Sequence, residues 1–90
     1  MKNVNIPKEF ADVRLVLEFG ARKYGPDSWL KGEHFTHVDN HASMSRHLAE
    51  VEKGKRHDWE SGLDPLLHLA CRALMQYTLH QREGHDKKLK

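Results

Sequence analysis

Ninety residues make one domain with a thin core, a size at which self-association often supplies extra burial. With 31% charged and 38% hydrophobic side chains the chain reads as soluble and globular, and no apolar run approaches the roughly 20 residues that span a bilayer, so no membrane partner is expected. The formal charge of +2 is too small for a duplex nucleic acid partner, the lone Cys71 excludes an internal disulfide framework, and the polar residues 1–7 carry no signal peptide, which points to the cytoplasm.

Pro7 fits the first turn of a helix, where its missing amide is not needed. Phe10, Val13, Leu17 and Ala21 recur at three- and four-residue spacing, with Leu15 and Val16 widening the stripe, and predict a first helix over residues 7–23. Gly20 costs that helix about 1 kcal/mol relative to alanine, so either the helix ends early or another backbone comes close there. Gly25-Pro26-Asp27-Ser28 is a turn, after which Trp29 and Leu30 tuck back and residues 31–35 form a loop. Thr36, with Asp39 three residues later, resembles a capping box.

The second helix is expected over residues 37–53, with Val38, Ala42, Ser45, Leu48, Ala49 and Val51 facing inward and Gly54 as its stop. Arg46, His47 and Glu50 share an adjoining face. Asp64 as N-cap and Pro65 at the first helical position start the third helix, which runs to about residue 81 with Leu66, Leu67, Ala70, Ala73, Leu74 and Tyr77 as its apolar face. His68, Arg72 and Gln76 stack beside that face at four-residue intervals, Gly84 ends the helix, and about residues 83–90 form a solvated tail. Without strand pattern or repeat, residues 1–90 are expected to be a single all-α domain, a small bundle of three principal helices.

The unusual chemistry lies between Arg46 and Arg72. A helix-loop-helix hairpin there gathers Arg46, His47, Asp58, Glu60, His68 and Arg72 around one cleft, and guanidinium forks match phosphate oxygens. Arg22, Lys23 and Tyr24 precede a glycine turn and, with Trp29, could form a phosphate and base-stacking corner, although a basic last turn complementing the helix dipole accounts for Arg22 and Lys23 without any ligand. His47, Asp58, Glu60 and His68 could hold a metal; histidines bonded to loop carbonyls are the plainer alternative. His34, His37 and His41 have spacings that could bind Zn²⁺, against the simpler reading of surface histidines. Asp58 and Ser61 could orient the loop by bonding nearby amides. Only Glu9 and Asp12 show the spacing of carboxylates that grip bridging Mg²⁺ ions, and they have no partner pair.

The string Phe19-Gly20-Ala21-Arg22-Lys23-Tyr24-Gly25-Pro26-Asp27-Ser28-Trp29 resembles the GA-x-KYG-x-x-N-W signature of the phage dATP/dGTP diphosphohydrolase N-terminal domain family. Ala42, Arg46-His47-Leu48, Gly54, Asp58, Glu60-Ser61-Gly62-Leu63, His68 and Ala70 continue its later pattern, so the resemblance covers about residues 15–75. It implies an all-helical domain of phage or prophage origin concerned with purine nucleotides. Ser28 stands in place of the asparagine, Lys55 in place of an acid, Pro65 in place of a histidine, and Arg72 where the pattern is often asparagine or small. One acid and one histidine are thereby lost and two cations gained, which favours binding over cleavage. The expected function is a phage nucleotide-binding protein, a homo-oligomer in the host cytoplasm. It would sequester, sponge-like, a phosphorylated purine or cyclic (oligo)nucleotide signal to counter host defence, with no cofactor required for binding. Two other functions remain open: a purine dNTP diphosphohydrolase requiring Mg²⁺ or Mn²⁺, and a non-catalytic helical adaptor.

Overall fold

A computed structural model describes residues 3–32 and 35–87, with side chains as far as residue 82. Its helices are α1 (Val13–Tyr24), α2 (His37–Glu52) and α3 (Pro65–Lys87), and the fold is all-α, with no strand among the described residues. None of the helices is long and apolar enough to cross a membrane.

Local signals set most of the boundaries. Pro7 leads first into a 3-10 turn, Lys8–Asp12, in which the Phe10 amide bonds the Pro7 carbonyl at 3.0 Å, so the α-helix begins at Val13, later than expected. This turn buries no side chain, so packing offers nothing to favour the wider helix over the tighter turn. α1 passes through Gly20 without ending, and a Cβ there would have nothing within 4 Å, so both sequence expectations for this glycine are overturned. Gly25, at φ 96°, and Asp27, at φ 59°, turn the chain into a second 3-10 turn, Ser28–Lys31.

The Asp39 amide donates to Thr36 Oγ1 at 3.0 Å and starts α2. At the far end the Lys55 amide bonds the Glu50 carbonyl at 3.0 Å and the Gly54 amide bonds the Val51 carbonyl at 2.9 Å, a Schellman closure with glycine at φ 81°. Asp64 Oδ1 accepts from the Leu66 amide at 2.9 Å ahead of α3, with Pro65 buried at its first position. α3 does not stop at Gly84 but continues to Lys87; one helical glycine costs only about 1 kcal/mol, too little to end a helix that no proline follows. Of the expected tail, residues 88–90 lie outside the described residues.

α2 and α3 form an antiparallel hairpin, and the face that each turns inward reverses the sequence expectation. Val38 is 77% exposed and Tyr77 60%, while Ala42, Ser45, Leu48, Ala49, Leu66, Ala70, Ala73 and Leu74 are exposed too. In α1 only Val16 is buried, and Phe10 lies in solvent. Buried instead are Asn40 and His47 from α2 with His68, Cys71 and Gln76 from α3. Periodicity identifies residues that share a face but not which face meets a neighbour, and here the polar faces complement each other. Asn40 Nδ2 donates to Gln76 Oε1 at 3.0 Å and to the Arg72 carbonyl at 3.3 Å, and Arg72 Nη1 donates to Asn40 Oδ1 at 3.3 Å. Gln76 Nε2 also meets His37 Nδ1 and lies 3.0 Å from His80 Nε2. Polar groups satisfied in this way can be buried at little cost.

The buried apolar side chains Val16, Phe35 and Cys71 form a small core beside this network, and burial pushes the Cys71 thiol up to about 11, which makes it inert. The chain is a slab of 40 × 39 × 24 Å with a radius of gyration of 14.5 Å, above the roughly 12 Å of a compact domain this size.

Candidate functional site

Between α1 with its following turn and the α2–α3 hairpin lies a cleft of about 380 Å³. Lys23, Tyr24, Trp29, Arg46, Arg72, His47, Asp58, Glu60 and His68 all line it, joined by Phe19 and Phe35.

The loop joining α2 to α3 is organised by Asp58, which is 5% exposed. Its Oδ2 accepts from the amides of Glu60 and Ser61, each at 3.0 Å, and from Ser61 Oγ at 3.2 Å. Its own amide donates to the Leu63 carbonyl at 2.7 Å, and Gly62, at φ 77°, returns a bond to the Asp58 carbonyl at 2.8 Å. Burial works against the carboxylate, but the Ser61 and Glu60 amides outweigh it and hold Asp58 below the usual carboxylate range.

His47 and His68 stack face to face beside this loop, with ring centroids 4.5 Å apart and planes inclined by 8°. His68 Nε2 lies 2.6 Å from Ser61 Oγ, while His47 Nδ1 is 3.1 Å from Glu50 Oε1 and 3.8 Å from Asp58 Oδ1. Burial depresses both imidazoles below their ordinary value, His68 further through His47, so both are neutral at pH 7. Among the described residues neither bonds a loop carbonyl, whereas His57 Nδ1 is 3.3 Å from the Gly62 carbonyl. Of the three histidines with zinc-like spacing, His37 is bonded to Gln76, His41 is exposed, and His34 lies outside the described residues.

The three cleft cations expected from the sequence differ in how they are engaged. Lys23 Nζ sits 2.8 Å from Glu60 Oε2, a bond that raises its pKa and draws Glu60 away from the imidazoles. Arg46 is half-exposed, with Nη1 3.9 Å from Asp58 Oδ1. Arg72 is half-buried, its guanidinium 5.9 Å from the Phe35 ring centroid, and among the described residues no carboxylate pairs with it. Burial lowers its pKa and the charge of Arg46 adds to that effect.

Among the described residues one group of three can converge on a cation: His47, Glu50 and Asp58, with ligand atoms all within 4.8 Å of one another. Relative to the set expected from sequence, Glu50 is present while Glu60 is turned to Lys23 and His68 to Ser61. The signal for Glu50 was its three-residue spacing from His47 on one helix face. Asn40, wholly buried at the hairpin centre, carries no comparable sequence signal.

Residues 1–88 match the family described as dATP/dGTP diphosphohydrolase, N-terminal. Comparison with curated proteins and with solved structures gives no match.

Proposed function

Since this chain belongs to the dATP/dGTP diphosphohydrolase N-terminal family, we propose that its cleft binds a phosphorylated purine nucleotide. The observation that carries this reading is Arg72: a partly desolvated guanidinium with no carboxylate partner among the described residues, close enough to Arg46 for the two charges to oppose each other. Such a pair is costly until an anion arrives, and phosphate oxygens accept from both forks. Phe19, Tyr24 and Trp29 on the cleft wall offer faces for a base.

The ligand is held intact. Hydrolysis by the two-metal route needs two ions about 4 Å apart, each with its own ligands, and the described residues contain one three-ligand group. The domain then acts as a sponge for a phosphorylated purine or cyclic (oligo)nucleotide signal, a role that suits a phage countering host defence. Further copies of the chain cover the outward apolar faces of α2 and α3, and a two-fold assembly would present Arg46 and Arg72 twice to a ligand with two phosphates. The same three-ligand group favours a second reading, conversion of dATP or dGTP to monophosphate and pyrophosphate with Mg²⁺ or Mn²⁺.

Incubation with purine dNTPs and cyclic dinucleotides, followed by chromatography before and after heat denaturation, separates the two. Ligand that disappears and returns intact supports sequestration, and release of pyrophosphate supports the hydrolase. Arg72→Ala should weaken binding about 10- to 100-fold, the loss of a charge-assisted hydrogen-bonding group. Unchanged affinity in both Arg72→Ala and Arg46→Ala would remove the cleft as the nucleotide site.

A further inference from the structure

One atom in the cleft wall is left without a partner. Asp58 Oδ1 is buried and accepts no hydrogen bond, although Oδ2 of the same carboxylate accepts three. The charged groups beside it, His47 Nδ1 at 3.8 Å and Arg46 Nη1 at 3.9 Å, are both beyond hydrogen-bonding reach. A buried carboxylate oxygen is rarely left unserved, because it has given up water without replacement. Three further bonds hold the loop and its carboxylate in place: the Leu63 amide donates to Ser61 Oγ, the Asp58 amide to the Leu63 carbonyl, and the Gly62 amide to the Asp58 carbonyl.

Opposite that oxygen are His47 Nδ1 and Glu50 Oε1, 3.1 Å from each other. Glu50 has a side chain only 12% exposed, so two carboxylates and one imidazole meet in a nearly closed corner. Ligand atoms about 2.1 Å from a transition ion stand roughly 3 Å apart when adjacent and roughly 4.2 Å apart when opposite. His47 Nδ1 stands 3.1 Å from Glu50 Oε1 and 3.8 Å from Asp58 Oδ1, both within that range, and the three ligand atoms all lie within 4.8 Å of one another.

We propose that His47 Nδ1, Glu50 Oε1 and Asp58 Oδ1 bind one divalent ion of the Mn²⁺ or Zn²⁺ class, with its remaining positions open to the cleft. Imidazole beside carboxylates selects these ions over Mg²⁺, which prefers oxygen alone. Two carboxylates cancel the ion's charge, so it can sit near Arg46 and Arg72 without strong repulsion. Binding needs the His47 tautomer with its proton on Nε2, because the Nδ1 that donates its N–H to Glu50 has no lone pair left for an ion. The site requires no nucleotide, and it stands whether a cleft ligand is kept or cleaved.

The test uses the metal alone. Chelator-stripped protein is titrated with MnCl₂, following free Mn²⁺ by electron paramagnetic resonance and stability by thermal melting, with ZnCl₂ as competitor. One Mn²⁺ per chain is expected, displaced by Zn²⁺, with a melting shift on the order of 10 °C at metal concentrations about 100-fold above Kd. Glu50→Gln and Asp58→Asn should each weaken binding at least tenfold. Asp58→Asn keeps a carbonyl oxygen for the Ser61 and Glu60 amides, so the metal-free variant should keep the helical circular dichroism spectrum of the wild type while melting lower for want of the charge those amides stabilise. Absence of both Mn²⁺ and Zn²⁺ binding to the wild type, or wild-type affinity in both variants, would overturn the site. Because no nucleotide is present, failure here leaves the Arg72 and Arg46 result standing on its own.

Discussion

The two faces of the α2–α3 hairpin carry opposite chemistry from the usual arrangement. The face turned inward presents Asn40, His47, His68, Arg72 and Gln76; the face turned outward presents Val38, Leu48, Leu66, Leu74 and Tyr77. Each inward group has a named partner or a cleft to face, so this surface fixes how the two helices sit against each other. The outward surface has size and apolarity but lies exposed among the described residues. One face is specific and self-contained; the other is the one to which the proposed function assigns a second copy.

Substitutions on the two faces should therefore fail in different ways. Asn40→Leu removes the groups that serve Gln76 Oε1, the Arg72 carbonyl and Arg72 Nη1, leaving them in an interior where Asn40 is 0% exposed. A loss of about 3–5 kcal/mol in chemical denaturation is expected, enough to unfold much of a domain this small. Leu74→Glu combined with Tyr77→Glu, at positions 51% and 60% exposed, should leave the protomer's secondary structure unchanged while raising the dissociation constant of the oligomer at least tenfold in sedimentation. A wild type that sediments as a monomer would end the assignment of a second copy to that face.

Acidification separates the faces more gently. His47 and His68 are both held below their ordinary pKa by burial, with Glu50 and Asp58 opposing that shift and Arg46 and Arg72 adding to it. The unfolded chain therefore takes up protons first as the pH falls. Stability contributed by the neutral rings is complete above about pH 6.5 and declines below it, well before the Asp58 carboxylate begins to protonate. Denaturation midpoints at pH 7.5 and pH 5 should show the drop, and His68→Gln should flatten it.

Much of the backbone was legible because its signals are local. Thr36 with Asp39, Asp64 with Pro65, and Gly54 after α2 each act within a few residues, and each is found making the cap or closure its chemistry allows. The clustering of Arg46, His47, Asp58, His68 and Arg72 around one cleft followed from the hairpin alone. The orientation of the helices did not, because a stripe of leucine and alanine attracts a neighbouring subunit as readily as a core, and nothing in its spacing distinguishes the two. Glu50 was passed over for a related reason: it lies beside His47 on the helix, but which acid turns toward the imidazole depended on Lys23 capturing Glu60 from another element.

Gly20 brings the comparison down to a single side chain. It sits within α1 on the cleft wall, where an added Cβ would meet nothing within 4 Å, so neither backbone conformation nor a close neighbour requires a glycine. Gly20→Ala should raise stability by about 0.5–1 kcal/mol through helix propensity and leave nucleotide affinity within about twofold. Gly20→Leu keeps a helix-forming residue but projects a side chain into the space that the nucleotide reading assigns to a ligand, so it should remain folded and lose affinity. Equal affinity in the alanine and leucine variants would move the ligand away from α1, toward Arg46 and Arg72, without disturbing their role.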